Sequence, residues 1–142
     1  MADPKIPTRS IRKRAAVYSD SPACLVCIHA PLREAKVRSG SVYELAEAVT
    51  EIGRATGAIP LSDNQVSGRH CRIERLENGA YLLRDLQSTN GTFVEGVRIE
   101  SELLSHKSTI TLAEEYRFMF WRGEKTDPAL ADHLKELGLT AV

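Results

Sequence analysis

Two apolar-rich runs, Cys71-Arg72-Ile73-Glu74-Arg75-Leu76 and Ala80-Tyr81-Leu82-Leu83-Arg84-Asp85-Leu86, face each other across Glu77-Asn78-Gly79. Asn-Gly supplies the positive φ angles of a tight turn, so this stretch is committed to an antiparallel hairpin. The same texture extends on both sides. From Ala23 to about Arg122, short apolar runs are broken at intervals by turn residues, the pattern of an all-β sandwich or barrel.

The other runs are Cys24 to Ile28, Ser41 to Leu45, Val49 to Ile52 stopping at Gly53, and Ala58 to Leu61, which Pro60 places at an edge. A second hairpin joins Thr92-Phe93-Val94 to Val97-Arg98-Ile99 across Glu95-Gly96. Thr109 to Leu112 and Tyr116 to Trp121 complete the set, with Tyr116, Phe118 and Phe120 on one face. The expectation is a two-sheet antiparallel β-sandwich of about ten or eleven strands over residues 23–122.

The flanks differ. Residues 1–22 hold three prolines, no hydrophobic period, and Lys5, Arg9, Arg12, Lys13 and Arg14, and read as a flexible basic arm. In residues 123–142, Thr126 or Asp127 can cap a helix, Pro128 suits its first position, and Leu130, Leu134 and Leu137 form a stripe before Gly138. A short helix is expected at about 128–137, docked on the sandwich or on a neighbouring chain.

Charge and cysteine content exclude several functions. Nineteen Lys and Arg balance nineteen Asp and Glu, so no global field draws the 142-residue chain to nucleic acid or membrane. The N-terminus shows no signal-peptide pattern and no long apolar run exists, which fits a cytoplasmic protein. Cys24, Cys27 and Cys71 are too few for a disulfide framework. On a strand, residues three apart face opposite ways, so Cys24 and Cys27 do not share a metal or redox site. The four histidines have no ligand spacing, and neither a metal nor another cofactor is expected.

Four segments between strands carry the remaining chemistry: Gly53-Arg54, Ser67-Gly68-Arg69-His70, Ser88-Thr89-Asn90-Gly91-Thr92, and the Glu95-Gly96 turn. They offer two guanidinium groups, several hydroxyls, a side-chain amide and glycine-permitted backbone. That inventory suits a phosphate ester on a peptide, which carries about −1.5 to −2 charge and three acceptor oxygens. Gly-Arg, a Ser-x-x-His thirteen residues on, a hairpin, Ser-Thr-Asn-Gly-Thr and a turn glycine, in that order, resemble the forkhead-associated (FHA) domain.

The resemblance covers roughly Ala23 to Arg122 and implies a phosphothreonine-peptide-binding module working downstream of a Ser/Thr kinase. It implies that Arg54 and Ser67 hold the phosphate, that Thr89 adds a hydroxyl, and that Asn90 bonds the peptide backbone. Arg69 is expected to add positive charge. His70 is expected to tie the loops together, with Gly53 and Gly91 permitting unusual backbone geometry. One departure is Gly68, where the family often has a polar or basic residue.

Three other readings compete. Ser67 and His70 invite a hydrolase reading, but no Gly-x-Ser-x-Gly elbow or oxyanion hole accompanies them, so no enzyme is expected. The basic arm invites salt-sensitive nucleic-acid binding, and Gly68 keeps open a phosphate-independent interaction domain. Within the arm, Ile11 follows Thr8 by three residues, which invites phosphorylated Thr8 to fold back onto its own or a sister domain.

Overall fold

The computed structural model describes residues 21–140. The expected basic arm, apart from its last two residues, lies outside the described residues, as does Thr8.

The described chain forms β1 (Ala23–His29), β2 (Val42–Glu44), β3 (Val49–Arg54), β4 (Thr56–Gly57), β5 (Ile59–Leu61), β6 (Cys71–Arg75) and β7 (Tyr81–Asp85). There follow β8 (Thr92–Val94), β9 (Val97–Arg98), β10 (Ser101–Leu103), β11 (Thr109–Leu112), β12 (Tyr116–Arg122) and a helix, α1 (Pro128–Glu136). A six-stranded sheet in the order β2-β1-β12-β11-β8-β9 packs on a five-stranded sheet in the order β10-β7-β6-β3-β5. This is the expected sandwich, with one difference in its ladders. β5 runs parallel to β3, pairing Ile52 with Ile59 and Arg54 with Leu61.

Both hairpins form as expected. Gly79 has φ 82°, and the β8–β9 turn has φ 50° at Glu95 and φ 80° at Gly96, the double positive-φ geometry that matches strand twist. Two short strands, β4 and β10, were not anticipated, because two or three residues are too few to show alternation.

The expected stop at Gly53 does not occur. β3 runs through it to Arg54, and the chain turns at Ala55, with φ 57°. Gly53 serves another purpose: a Cβ there would lie 2.1 Å from the Gly68 carbonyl oxygen. The glycine lets the β5–β6 loop press against β3, which sets the spacing of the site described below.

Alternation along β1 splits the thiols as expected. Cys27 joins the core between the sheets, while Cys24 faces the outer side of the six-stranded sheet. Burial pushes the Cys24 thiol up to about 11 and the Cys27 thiol up to about 12, so both stay protonated and unreactive. Phe118 and Phe120 of β12 fill the inter-sheet core, with Phe120 against Tyr81 at a ring separation of 5.4 Å.

Helix α1 covers that outer side. Asp127 caps it, its Oδ1 accepting from the Ala129 N–H at 2.9 Å and its Oδ2 from the Trp121 indole N–H at 3.1 Å. Leu130 and Leu134, each 1% exposed, pack with Val26, Met119 and Trp121, whereas Leu137 is 46% exposed. The stripe docks on its own sandwich. Leu134→Ala should cost about 2–5 kcal/mol in urea unfolding. Leu137→Ala should stay within about 0.5 kcal/mol.

Candidate functional site

Three segments meet at one end of the sandwich: the end of β3, the β5–β6 loop (62–70) and the β7–β8 loop (86–91). Backbone bonds join the first two, from the Arg54 N–H to the Ser67 carbonyl at 2.9 Å and from the His70 N–H to the Ile52 carbonyl at 3.0 Å. The Leu86 N–H reaches the His70 carbonyl at 2.9 Å, bringing in the third.

His70 sits inside this junction, fully buried. Its Nδ1 accepts from the Ser67 N–H at 3.2 Å, and its Nε2–H donates to the Gly91 carbonyl at 2.9 Å. One acceptor and one donor define the neutral Nε2–H tautomer. Burial also holds its pKa below the ordinary histidine value. The ring bonds to both loops and is not among the residues that line the pocket described below.

The β7–β8 loop is fastened by Asp85. Its Oδ1 accepts from the Ser88 hydroxyl at 2.6 Å and the Thr92 hydroxyl at 2.7 Å, while Ser88 Oγ accepts from the Gly91 N–H at 3.0 Å. Gly91, at φ 88°, turns the chain so that its carbonyl meets His70.

The β5–β6 loop is braced from the β1–β2 connection. Buried Glu34 accepts from the Ser62 N–H at 2.7 Å and from the Tyr116 hydroxyl. Burial pushes the Glu34 carboxyl up, but the bonds from Tyr116, Lys36 and Ser62 outweigh it and hold the group below the usual carboxylate range. Arg33 pairs with buried Asp63 at 2.6 Å and also with Glu115. Asp63 Oδ1 in turn accepts from the Gln65 N–H at 2.9 Å. The Asp63-to-Gln65 turn is readable as an aspartate bonding its own backbone two residues on. Nothing in the sequence marks Glu34 or Arg33.

These braces leave an open pocket of about 470 Å³ lined by Arg54, Asn64, Gln65, Ser67, Gly68, Thr89 and Asn90. The Arg54 guanidinium donates only to the carbonyls of Val66 at 3.3 Å and Asn64 at 3.4 Å, and has no carboxylate partner among the described residues. Ser67 Oγ accepts from the Thr89 N–H at 3.0 Å, which leaves the Ser67 hydroxyl proton to point elsewhere. The Asn90 side-chain amide crosses between loops to the Gln65 carbonyl at 2.7 Å and to Gln65 Oε1 at 3.2 Å.

Four of the five expected binding residues therefore converge. Arg69 does not: its guanidinium lies on Glu51, with Nη2 to Oε2 at 2.7 Å and Nε to Oε1 at 3.2 Å, outside the pocket lining. Hydrogen bonds from Arg69 hold the Glu51 carboxyl below its usual range. The bidentate contact with the β3 carboxylate holds this cation there. Asn64 and Gln65 line the pocket without having been anticipated, since loop amides have no distinctive spacing. A Cβ at Gly68 would meet nothing within 4 Å, so a side chain is absent there without being excluded.

The fold and site define a class: a β-sandwich whose end loops place a guanidinium with no carboxylate partner among the described residues beside two hydroxyls and an amide, an arrangement suited to an anionic group. Residues 50–113 match the FHA domain family, and solved FHA domains share the fold of the chain. It is 33% identical over 90 residues to the glycogen accumulation regulator GarA of Mycolicibacterium smegmatis, covering 63% of this chain and 56% of that protein. It is 40% identical over 75 residues to the FHA domain-containing protein FhaA of Mycobacterium tuberculosis, covering 52% of this chain and 14% of that one.

Among solved structures, the FHA domain of a Chlamydia trachomatis protein matches at 25% identity and TM-score 0.62, covering 73% of this chain and all (100%) of that one. EmbR of Mycobacterium tuberculosis, in complex with a low-affinity phosphopeptide, matches at 27% identity and TM-score 0.63, covering 84% of this chain and 30% of that one. The chain spans about half the length of the GarA relatives, 56% of one and 53% of another.

Two outcomes follow from this geometry. Gly53→Ala should lower stability by about 1–3 kcal/mol, because the added methyl overlaps the Gly68 carbonyl. His70 binds a proton less readily folded than unfolded, so the unfolded chain takes up more protons and stability falls as pH drops through about 6.5. His70→Gln should lower stability at pH 7.5 and flatten that decline in thermal unfolding. His106, whose pKa burial also lowers, contributes to the slope that remains.

Proposed function

We propose that the chain binds phosphothreonine-containing peptides through this pocket and acts in the cytoplasm as an adaptor or regulator in Ser/Thr kinase signalling, as a binding module rather than an enzyme. One observation carries the reading: Arg54 faces the pocket held only by two long bonds to carbonyls. Carbonyl oxygens are weak partners for a guanidinium compared with a phosphate dianion, so exchanging one for the other favours the ligand.

The remaining groups suit the same ligand. The Ser67 hydroxyl donates to a phosphate oxygen while its Oγ keeps the Thr89 N–H, so the bound geometry needs no movement of the backbone. Asn90 is already fixed across the pocket mouth and reads the peptide backbone on release from Gln65 Oε1. A slot for the threonine methyl contributes only about 0.8 kcal/mol by area, so discrimination against phosphoserine rests on rigid placement. The braced loops provide that rigidity. Two relatives point the same way: a structural study of phosphothreonine-dependent FHA domain interactions, 27% identical to this chain, and EmbR, which was solved with a phosphopeptide.

Arg54→Ala should weaken binding of a phosphothreonine peptide by about 1.5–3 kcal/mol, or roughly ten- to a hundred-fold. Isothermal titration with the unphosphorylated peptide as control measures it, and unchanged affinity would contradict the assignment. Gly68→Arg should tighten the same peptide, since the open space at residue 68 admits a further cation at the pocket edge.

A further inference from the structure

The outer face of the five-stranded sheet carries charges of alternating sign. Glu74 Oε2 accepts from Arg84 at 3.1 Å and from Arg72 at 2.6 Å, and Arg72 stands directly opposite Glu51 in the β3–β6 ladder. Glu51 then holds Arg69 at 2.7 Å. Arg69 thus ends a row of charges that stops one residue short of the pocket, because its neighbour Gly68 lines the pocket and Arg69 does not.

Three features make this last pair exchangeable. Both partners are solvent-accessible, with 62% of the Arg69 side chain and 29% of the Glu51 side chain exposed. An exposed ion pair is weak, because water screens it and two long side chains must be ordered. Release of Arg69 does not strand Glu51, which keeps Arg72 as its cross-strand neighbour. The residue between Arg69 and the pocket residue Ser67 is Gly68, which puts no side chain of its own between them.

We propose that Glu51 is an internal competitor for Arg69, so that this second cation passes to the site only when the ligand carries an anionic group beyond the phosphate that Arg54 takes. The inference rests on the phosphopeptide reading above. It makes Glu51 a specificity-determining residue: the pair discounts phosphothreonine peptides with neutral flanks and admits those with acidic side chains beside the phosphothreonine. Arg54 supplies the basal attraction in both cases.

A double-mutant cycle on the full chain tests it, with two synthetic phosphothreonine peptides, one flanked by aspartates and one by alanines, and titration calorimetry as the readout. Glu51→Gln keeps shape and removes the competing charge. It should tighten the aspartate-flanked peptide about two- to five-fold, the range an exposed ion pair allows, and the alanine-flanked peptide less. Arg69→Gln should cost more in the Glu51→Gln background than in the wild type, abolishing the gain. Glu51→Thr, a strand-compatible change, repeats the test should the glutamine variant fold poorly.

Unchanged or weaker affinity in both Glu51 variants overturns the inference, as does a gain that survives loss of Arg69. A wild-type chain that binds neither peptide overturns the site assignment itself. Wild-type binding with a silent Glu51 overturns only the competitor role.

Discussion

The buried His70 ring is the constraint on which the site depends. One nitrogen accepts from the Ser67 backbone and the other donates to the Gly91 carbonyl, so this side chain, with the Thr89-to-Ser67 and Asn90-to-Gln65 bonds, sets the distance between the two loops that line the pocket. A buried imidazole with both nitrogens satisfied has no reason to rotate, whereas one left unpaired would carry the full cost of desolvation. Gly53 completes the arrangement by letting the Ser67 to His70 segment lie against β3 closely enough for the ring to reach. The binding groups inherit their geometry from this packing.

The site is electrostatically economical. The chain as a whole is neutral, with nineteen basic and nineteen acidic residues, and one guanidinium in the pocket lacks an ionic partner among the described residues. The other side-chain donors rest on internal acceptors of graded strength. Arg54 sits on carbonyls, Asn90 on an amide and a carbonyl, and Arg69 on a carboxylate. That grading orders how readily each is given up. A dianion displaces carbonyls from arginine easily, and displaces a carboxylate only with help from further negative charge.

Much of the fold was legible in the sequence, because the turns announce themselves. Gly79 in the first hairpin and the Glu95-Gly96 pair in the second supply positive φ, and the β12 aromatics alternate cleanly. Gly53 misled because a glycine permits a turn and a close approach equally, and only the position of Gly68 distinguishes them. The parallel pairing of β5 with β3 was hidden, since three residues around a proline carry no register. At the site, Arg54, Ser67, Thr89 and Asn90 were singled out through the resemblance carried by their ordered segments, and the structure brings all four to one pocket. The pairing of Arg69 was not legible because its partner, Glu51, lies eighteen residues away on β3. Glu34 and Arg33 act through tertiary contacts that nothing in the sequence marks.

We infer that the pocket at Arg54 is a cationic site for a phosphate dianion. A guanidinium bonded to phosphate favours the doubly charged form, so it must lower the second pKa of the bound phosphothreonine below its ordinary value of about 6. Phosphorus NMR of a phosphothreonine peptide, titrated with pH in the free and protein-saturated states, reads this directly. The account predicts a bound phosphate that titrates at clearly lower pH than the free peptide. A bound phosphate titrating at the same pH as the free peptide, or higher, would contradict it.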